Sequence, residues 1–501
     1  MPDLTAPGAP VLVIGAGIMG AGIAQVAAQA GHPVMLFDTR EGAAAEARAK
    51  LGTTLQGLAA KGKLAPEAAE AALARITPVA TLDAARDACL VIEAIIENLE
   101  VKRGLLRQLE AVVSASCVLA TNTSSISVTA LANGLAHPGR LVGMHFFNPV
   151  PLMKLVEVVS GLHTEPAVAA AIFELSKAWG KVPVHARSTP GFIVNRIARP
   201  YYAETLALLL EQAAAPQVLD ACLRGAGFRM GPCELMDLIG HDTNFAVTQS
   251  VYDANFQDKR YVPSLVQREL VDGGLLGRKN GRGFYRYPEG APAMPPVAAA
   301  EPAPAGRIDI HGDDAIAEAF AAALAGRGIS AARVRGSGWA GLAIDSARLV
   351  LTDGRRAREW AAATGCADLA VFDRPILQPA PPGTALAYAV ADSASTAWRA
   401  QAPAWLAALG FAPQAVADTP GLVVARTIAM LVNEAADAVL QGVCSPEGAD
   451  AAMKLGVNYP AGPFEWLARW SVPGVVALVD ALDAHHRGER YRVSPWLRRQ
   501  G

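Results

Sequence analysis

The sequence predicts an α/β domain with a parallel sheet, an all-α domain after it, and a second, degenerate copy of this pair. Three observations support the prediction. Short β-branched runs alternate with alanine-rich helical stretches early in the chain, a rhythm typical of a parallel sheet covered by helices. Apolar-periodic segments replace the strands from Thr189 onward, as in a helical domain. A motif that begins at Thr189 recurs at Thr419, which indicates duplication.

The composition indicates a globular chain without a strongly charged partner. Its 501 residues fit about three domains. Apolar residues make up 52% and charged residues 18%, far from a disordered composition. A net charge of -2 gives no reason to expect nucleic acid or an anionic membrane as partner. The six cysteines are never two or three residues apart, so we expect no redox pair, no metal site and a cytoplasmic, reducing setting.

The uncharged stretch from Leu4 to Phe37 is predicted to belong to the first domain and not to a membrane span. Glycines recur through it, Gln25 and Gln29 interrupt it, and Pro33 would break a long helix. No basic segment precedes it, although a secretory signal would need one. We therefore expect no membrane partner.

The alternating pattern assigns five strands to the first domain, at 11–14, 34–37, 90–92, 118–121 and 141–144. The long apolar-periodic segment from Arg196 to Gln212 indicates a helical domain. A proline- and alanine-rich stretch is typical of a semi-extended linker. The predicted organisation is a sheet domain at 1–187, a helical domain at 188–287, the linker at 288–306, a degenerate sheet domain at 307–412 and a second helical domain at 413–501.

The internal repeat aligns two long segments of the second and last predicted domains. Thr189-Pro-Gly-Phe-Ile-Val-Asn-Arg196 matches Thr419-Pro-Gly-Leu-Val-Val-Ala-Arg426 at an offset of 230 residues. The match continues in order, with a one-residue shift before its last members: Glu204, Pro216 and Asp220 pair with Glu434, Pro446 and Asp450, and Gly231, Pro232 and Glu234 pair with Gly462, Pro463 and Glu465.

A glycine motif between the first predicted strand and the following helix indicates a dinucleotide site. Gly15, Gly17 and Gly20 have the spacing Gly-x-Gly-x-x-Gly, with Ile18 and Met19 inside it. In a Rossmann domain the first glycine permits a tight turn, the second lets the backbone approach a pyrophosphate, and the third lets helix and strand pack closely. The motif therefore predicts a Rossmann domain; the alternative is a glycine-rich turn without a ligand.

Asp38 predicts which dinucleotide is preferred. It ends the second predicted strand, 18 residues beyond Gly20, where a carboxylate accepts hydrogen bonds from a ribose 2′-hydroxyl and repels a 2′-phosphate. Arg40 weighs against this choice, because a nearby arginine can accommodate a phosphate. We predict NAD.

His145 and Glu157 are candidates for an acid–base pair. His145 follows a predicted strand, where the ligand crevices of α/β sheets form. Glu157 lies inside an apolar strand and is costly to bury without a partner. A pair would solve both problems, since the carboxylate would orient the imidazole and stabilise its protonated form. The alternative is a packed histidine and a solvent-facing glutamate.

Taken together, the motifs resemble the (S)-3-hydroxyacyl-CoA dehydrogenase family. The resemblance covers residues 10–287 in the family's order and rests on the glycine motif extended to Ala24, Asn122-Thr-Ser-Ser125, His145-Phe-Phe-Asn-Pro149, Met153 to Val159, Pro190 to Arg196, and Gly231-Pro232 with Glu234-Leu235. It implies that His145 is the general base, that Glu157 orients it, and that Ser124 and Asn195 hold the substrate's hydroxyl or carbonyl group.

The resemblance also implies contacts with cofactor and substrate. It places Asn122, Glu97 and Lys102 near the cofactor; for Glu97 and Lys102 the alternative is a charge pattern at a helix start. Lys61 and Lys63 lie where the family projects a helical arm toward CoA, and their charges would meet its phosphates; the alternative is a solvated surface.

The implied reaction is oxidation of a 3-hydroxyacyl-CoA to the 3-oxo thioester, with His145 taking the hydroxyl proton. The chain looks most like the phenylacetate-pathway branch, which is assigned to 3-hydroxyadipyl-CoA, and Arg199 is the candidate for a distal carboxylate. The alternatives are a general short-chain enzyme, for instance for 3-hydroxybutyryl-CoA, and a non-catalytic dinucleotide-binding protein.

The second copy is predicted to be silent. Ala425 stands where Asn195 does, and Ile308 to Asp314 has one glycine where the first copy has three. Shorter family members pair through the helical domain, so the two helical copies are expected to pack together within one chain. Further dimerisation of the whole chain to a homodimer stays open.

Overall fold

The structure is a computed structural model that describes residues 3–294, 301–376 and 380–500. It divides into two compact units. The first unit comprises Met1–Arg196 together with Ala438–Asn458, and the second comprises Ile197–Asp437 together with Tyr459–Gly501. The described part of the chain contains no helix that is both long and apolar enough to cross a membrane.

The first unit contains an eight-stranded sheet in the order β3-β2-β1-β4-β5-β6-β7-β8. Its strands are β1 Val11–Ile14, β2 Val34–Phe37, β3 Ile76–Pro78, β4 Leu90–Glu93, β5 Val118–Thr121, β6 Leu141–Phe146, β7 Leu155–Ser160 and β8 Val182–Arg187. All neighbours are parallel except β6 and β7. β1 and β4 are buried along their whole length, as expected for parallel strands covered on both faces.

The helices of this unit are α1 Ile18–Gln29, α2 Ala43–Ala60, α3 Pro66–Ala74, α4 Leu99–Glu110, α5 Val128–Ala132 and α6 Pro166–Ala178, and α7 Val194–Ile197 follows at its boundary. Local sequence explains several starts. The side chain of Asn98 accepts hydrogen bonds from the Glu100 and Val101 amides and so caps α4. Prolines stand in the first turn of α3 and α6, where no N–H is needed.

The five predicted strands are all present. The strand predicted at 90–92 extends to Glu93, and the one predicted at 141–144 extends to Phe146. His145 therefore lies inside β6, one residue before its end. The apolar-periodic segment from Arg196 to Gln212 is helical, as predicted, but in two elements: α7 ends at Ile197 and α8 Arg199–Leu210 begins after Ala198. Pro200 explains the break, because proline has no N–H to continue the helical hydrogen bonds.

The second unit contains a seven-stranded mixed sheet in the order β10-β9-β11-β12-β13-β14-β15. Its strands are β9 Ile308–His311, β10 Ala332–Val334, β11 Gly341–Ile344, β12 Ala347–Leu351, β13 Leu369–Phe372, β14 Thr384–Val390 and β15 Phe411–Ala415. The antiparallel β11 lies between β9 and β12, a departure from the first sheet. The helices α13 Ala315–Gly326, α14 Ala357–Thr364 and α15 Thr396–Ala408 accompany this sheet.

The two helical copies supply the remaining helices. These are α8, α9 Pro216–Gly225, α10 Pro232–Ile239, α11 His241–Ala254 and α12 Leu265–Asp272 in the first copy, and α16 Val424–Leu440, α17 Pro446–Gly456, α18 Pro463–Trp470, α19 Val472–His486 and α20 Pro495–Gln500 in the second. Five short 3-10 helices complete the described elements: Leu82–Asp87, Pro138–Arg140, Lys259–Tyr261, Arg278–Asn280 and Glu489–Tyr491. Of the linker predicted at 288–306, residues 295–300 lie outside the described residues.

The backbone reproduces the internal repeat. Phe192 and Leu422, related by the offset of the repeat, both adopt left-handed φ values, 48° and 53°. Such values are uncommon for bulky residues, so their recurrence is a specific sign of duplication. The helices that start at Pro216 and Pro446 correspond, as do those that start at Pro232 and Pro463.

Within the second unit the two helical copies exchange ion pairs in a reciprocal way. Arg490 of the second copy contacts Glu204 of the first at 2.8 Å, and Arg260 of the first contacts Glu434 of the second at 3.3 Å. Burial by itself raises the pKa of Glu204, but Arg490 and Arg426 together lower it to about 2. The expected packing of the two copies within one chain is therefore confirmed.

Candidate active site

The glycine motif forms the tight turn that the sequence predicted between β1 and α1. Gly15 has a φ of +100°, and a Cβ added there would lie 2.5 Å from the carbonyl oxygen of Ala94. A Cβ on Gly20 would lie 1.8 Å from the carbonyl oxygen of Gly15, whereas one on Gly17 would meet nothing within 4 Å. Gly15 and Gly20 are therefore needed for packing, and Gly17 leaves the backbone open to a ligand.

The space beside this turn is open to a ligand. A cavity of about 410 Å³ is lined by Gly17, Ile18, Arg40 and residues of α2. The side chain of Ile18 is 78% exposed, an uncovered apolar group at a place where a cofactor would cover it. Met19 is half-buried next to it. The cofactor, NAD, would be held here by the free backbone N–H groups at the start of α1.

Asp38, the predicted ribose contact, lies beside the glycine turn and accepts two backbone hydrogen bonds. Its Oδ2 accepts a hydrogen bond from the Ala16 amide at 2.7 Å, and its Oδ1 accepts one from the Arg40 amide at 2.9 Å. The guanidinium of Arg40 pairs with Glu46 at 2.7 Å. Since the Arg40 guanidinium already donates to Glu46, it is less available to donate to a 2′-phosphate, and the geometry agrees with the preference for NAD.

His145 and Glu157 face each other across the one antiparallel pair of strands in the first sheet. They are register partners on β6 and β7, and Nδ1 of His145 lies 2.6 Å from Oε2 of Glu157. Glu157 is fully buried, and His145 is 6% exposed. Because the carboxylate occupies Nδ1, the other ring nitrogen of His145 is left for a substrate group. The sequence-based pairing of these residues is confirmed.

Glu157 has a second set of partners. Its Oε1 accepts hydrogen bonds from the amides of Ile193 at 3.1 Å and Val194 at 2.9 Å. These amides stand at the start of α7, where N–H groups lack helical partners. Phe192, just before them, places its ring 5.8 Å from that of His145. The same carboxylate thus fixes the imidazole and the segment that contains Asn195.

Ser124 lies in a loop held by Glu97. Oε1 of Glu97 accepts hydrogen bonds from the hydroxyl of Thr123 at 2.7 Å and from the amides of Ser124 at 2.9 Å and Ser125 at 3.1 Å. Burial raises the pKa of Glu97, but the hydrogen bond from Thr123 and the charge of Lys102 outweigh it, and the net shift is downward. Glu97 is therefore a stable anion that shapes the loop after β5.

Lys102 is buried instead of exposed to a crevice. Its side chain is 1% exposed, and its ammonium contacts Glu93 at 2.8 Å and Glu97 at 3.4 Å. A buried cation between two carboxylates holds the ends of β4 and α4 together. Its predicted approach to the cofactor stays a prediction.

Asparagine side chains join this loop to its neighbours. Oδ1 of Asn122 accepts a hydrogen bond from the Phe146 amide at 2.9 Å, beside His145. Nδ2 of Asn195 donates to the carbonyl oxygen of Ser124 at 3.4 Å. The structure therefore brings Ser124, Asn122 and Asn195 into one network with the histidine strand.

Of the three predicted substrate-binding cations, two are exposed and one is buried. Lys61 and Lys63 are exposed in the turn between α2 and α3. Arg199 belongs to the second unit, where it is buried and donates to the hydroxyl of Thr248 at 3.1 Å. Its guanidinium lies 4.9 Å from the centre of the Tyr202 ring. All three substrate contacts stay predictions.

Sequence reasoning missed three residues of the site. Glu93 is buried at the end of β4, where its carboxylate accepts a hydrogen bond from Thr121 and pairs with Lys102; a carboxylate closing an apolar strand was the available signal. Lys181 donates to the carbonyl oxygens of Val150 and Met153, and burial lowers its pKa to about 8. No local pattern marks Lys181, because its partners lie about thirty residues away in the chain.

The third missed residue is Gly456, which comes from the second half of the chain. Helix α17 packs against β7 and β8, and a Cβ added to Gly456 would lie 2.6 Å from Leu155 and 3.1 Å from Val194. It would also lie 3.6 Å from the ring of Phe147, which is itself 4.6 Å from the ring of His145. The second half therefore contributes packing directly behind the histidine.

The described residues contain no group of three or more histidine, cysteine or acidic side chains that could hold a metal ion, and all six cysteines are free. The sheet thus carries both a dinucleotide turn and an imidazole with one nitrogen free of Glu157. This combination is typical of an NAD-dependent dehydrogenase, in which the imidazole accepts the proton of a hydroxyl group.

Comparison with known proteins gives the family. The NAD-binding domain of 3-hydroxyacyl-CoA dehydrogenase matches residues 10–189, and the C-terminal domain of that enzyme matches 191–287 and again 421–500. The reduced Rossmann-fold domain of 3-hydroxybutyryl-CoA dehydrogenase matches 349–420. The chain belongs to the 3-hydroxyacyl-CoA dehydrogenase family, and it is an NAD-dependent oxidoreductase.

A curated protein and a solved structure match this chain over nearly its whole length. A 3-hydroxyadipyl-CoA dehydrogenase of Escherichia coli (strain K12) is 44% identical over 98% of this chain and 97% of its own length. A crystal structure described as 3-hydroxybutyryl-CoA dehydrogenase from Escherichia coli K12 is 42% identical, with a TM-score of 0.89 over 99% of this chain and 98% of its own. The mitochondrial hydroxyacyl-coenzyme A dehydrogenase of Sus scrofa is 40% identical and covers 55% of this chain and 90% of its own length.

Proposed function

We propose that this chain oxidises (S)-3-hydroxyadipyl-CoA to 3-oxoadipyl-CoA with NAD, and that His145 is the general base. The main observation is the buried contact between Nδ1 of His145 and Glu157 at 2.6 Å. It leaves the second ring nitrogen to accept the proton of the 3-hydroxyl group. NAD, when bound, supplies the acceptor for the hydride.

The chain's own residues then have separate tasks. Glu157 orients the imidazole and stabilises the imidazolium that forms when the proton arrives. Ser124 and Asn195 hold the substrate oxygen, and Asn122 fixes the backbone beside His145. In the reverse direction the imidazolium returns the proton. Lys61 and Lys63 are proposed to meet the phosphates of CoA, and Glu97 and Lys102 to form the cofactor side of the crevice.

The adipyl substrate is favoured by the relative that is named for it, which matches 98% of this chain and 97% of its own length. The second candidate is 3-hydroxybutyryl-CoA, because the full-length solved relative is described by that substrate. The two differ by a distal carboxylate, for which Arg199 is the proposed partner. Arg199 also lines a cavity of about 230 Å³ in the second unit.

A panel of acyl-CoA thioesters assayed by NADH absorbance tests this proposal. We expect kcat/KM for the adipyl substrate to exceed that for the butyryl substrate by about tenfold or more, as one charge-assisted hydrogen bond can provide. Arg199→Gln should remove the difference without lowering the butyryl rate. Equal kcat/KM values in the unaltered enzyme would favour the general short-chain function.

Cofactor choice and stoichiometry are tested in the same assay and by calorimetry. We expect kcat/KM to be higher with NAD than with NADP, and one dinucleotide bound per chain, because the second sheet lacks the three-glycine turn. We further propose that the protein works in the cytoplasm, where its free cysteines stay reduced, and that it forms a homodimer. Analytical ultracentrifugation tests the assembly.

A further inference from the structure

The second sheet has a cavity at the edge that corresponds to the dinucleotide edge of the first sheet. Its volume is about 490 Å³, and its lining includes residues that directly follow β9, β12 and β13. Ligand crevices of α/β sheets form at this edge, and this volume lies within the range of small-molecule sites. Three indole rings, of Trp339, Trp360 and Trp470, form part of its wall.

One charged group in this cavity, Arg374, has no acidic partner within the described residues. Arg374 lines the cavity, and its Nε is buried without a hydrogen-bond acceptor. Within the described ranges its guanidinium has no ion pair either, and its neighbour is the ring of Trp470, 5.0 Å away. Burial lowers the pKa of Arg374, although Asp314 and Asp373 oppose this shift. An arginine stays charged in proteins, so a largely desolvated guanidinium without an ion pair among the described residues is costly and calls for an anion.

The acidic side chains of the cavity are engaged elsewhere. Asp353 pairs with Arg355 at 2.7 Å and accepts a hydrogen bond from the indole N–H of Trp360 at 3.0 Å. Asp314 caps α13 through the Ala317 amide, and Asp313 accepts from the Gly336 amide. They do not neutralise Arg374 by contact, and their charges lie where a pyrophosphate would bind in a working Rossmann turn. A polyanion is therefore disfavoured.

From this arrangement we infer a second ligand site: the cavity binds a small aromatic monocarboxylate, with its carboxylate on Arg374 and its ring against the tryptophans. A carboxylate matches the fork of the guanidinium with two parallel hydrogen bonds. The indole rings offer the flat apolar faces on which an aromatic ring packs. This site is separate from the proposed oxidation and does not depend on it.

Fluorine NMR of the full chain tests the inference with three matched probes. They are 4-(trifluoromethyl)benzoate, the neutral 4-(trifluoromethyl)benzamide and the more highly charged 4-(trifluoromethyl)phenyl phosphate. We expect the benzoate to bind about tenfold more tightly than the benzamide, the scale of one charge-assisted pair. The phosphate should bind more weakly than the benzoate because of Asp313 and Asp314.

Variants locate the binding site. Arg374→Gln should abolish the preference for the benzoate, whereas Arg358→Gln, which alters an exposed arginine on α14, should keep it. Trp470→Leu should weaken both ring probes. Unchanged dehydrogenase activity and circular dichroism of Arg374→Gln would show that the variant is folded. The inference is overturned if no probe binds, if benzoate and benzamide bind equally, if the phosphate binds best, or if Arg374→Gln keeps the preference.

Discussion

The ends of the two sheets solve the same structural problem with different residues. In the first sheet Glu157, on β7, accepts hydrogen bonds from the amides of Ile193 and Val194. In the second sheet Asp373, which directly follows β13, accepts them from Val423 and Val424 at 2.9 and 2.6 Å. Both carboxylates tie the start of a helical copy to its neighbouring sheet. The structural task is therefore conserved while its position changes.

Because of this change of position, the second sheet has no counterpart of the histidine–glutamate pair. Asp373 occupies the place that His145 has on β6, since its amide bonds to the carbonyl of Ala387, the residue that corresponds to Glu157. Because Asp373 takes the position of the histidine, the second sheet has no imidazole there. The neighbouring strand β14 has no acidic residue that could orient one. The comparison teaches that Glu157 performs two tasks, and that only one of them is needed for the fold.

The turns after the first strands differ in the same sense. Gly312, like Gly15, has a positive φ, 113° against 100°, so the chain turns in a similar way. Asp313 and Asp314 then follow, where the first copy has Ala16 and the open Gly17. Their negative charge at the start of α13 suits the helix dipole but repels a pyrophosphate.

The largest expected effect is a difference in activity between variants at the corresponding ends of the two sheets. His145→Ala should lower kcat by about a hundredfold or more, the usual contribution of a general base, while the dissociation constant for NAD stays within about twofold. Asp373→Asn, its counterpart, should leave kcat unchanged. Steady-state kinetics and calorimetric NAD titration measure this. Near-full activity of His145→Ala would show that the two ends do not differ in chemistry.

A smaller effect is expected from a matched pair of glycines. Gly456→Ala should lower kcat by about tenfold, because the new methyl group presses on Leu155 and Val194 beside the histidine, and catalytic geometry tolerates little displacement. Its counterpart Gly225 packs on β14 of the second sheet, where a Cβ would lie 2.7 Å from the carbonyl oxygen of Ala385. Gly225→Ala should destabilise the protein but keep kcat.

The glycine comparison has a clear opposing outcome. Alanine favours a helix over glycine by up to about 1 kcal/mol, so helix propensity does not explain a loss in either variant. Kinetics at saturating substrate and thermal unfolding are both needed. If Gly225→Ala lowered kcat as much as Gly456→Ala, the loss would reflect general destabilisation and not the packing behind His145.

The smallest expected effect concerns pH. Burial raises the pKa of Asp373 to about 6, against the opposing hydrogen bonds from the amides around Val424. A carboxyl group with a raised folded-state pKa stabilises the folded state fully at low pH, and this contribution is lost as pH rises from about 4 to 6. The free energy of unfolding of the second unit in urea should therefore fall across this window by about 3 kcal/mol. Asp373→Ala should lack the change.

The sequence determined the local elements and the motif residues, because these depend on short-range patterns. The runs at 11–14, 34–37 and 118–121 became strands with the predicted bounds, since a continuous apolar run suits a strand buried on both faces. The glycine spacing, the pairing of His145 with Glu157 and the duplication were likewise readable, as each has a recognisable spacing or partner.

Only the tertiary structure decided which residues pack against the motif residues and support them. Four features depend on residues far apart in the chain: the burial of Lys102, the hydrogen bonds of Lys181, the placement of α17 on β7 and β8, and the use of Asp373 in place of a histidine–glutamate pair. Such contacts follow from which strands and helices become neighbours, and no periodicity or local spacing records them. The sequence thus specified the residues of the candidate site, and the packing of the duplicated halves decided which other residues support them.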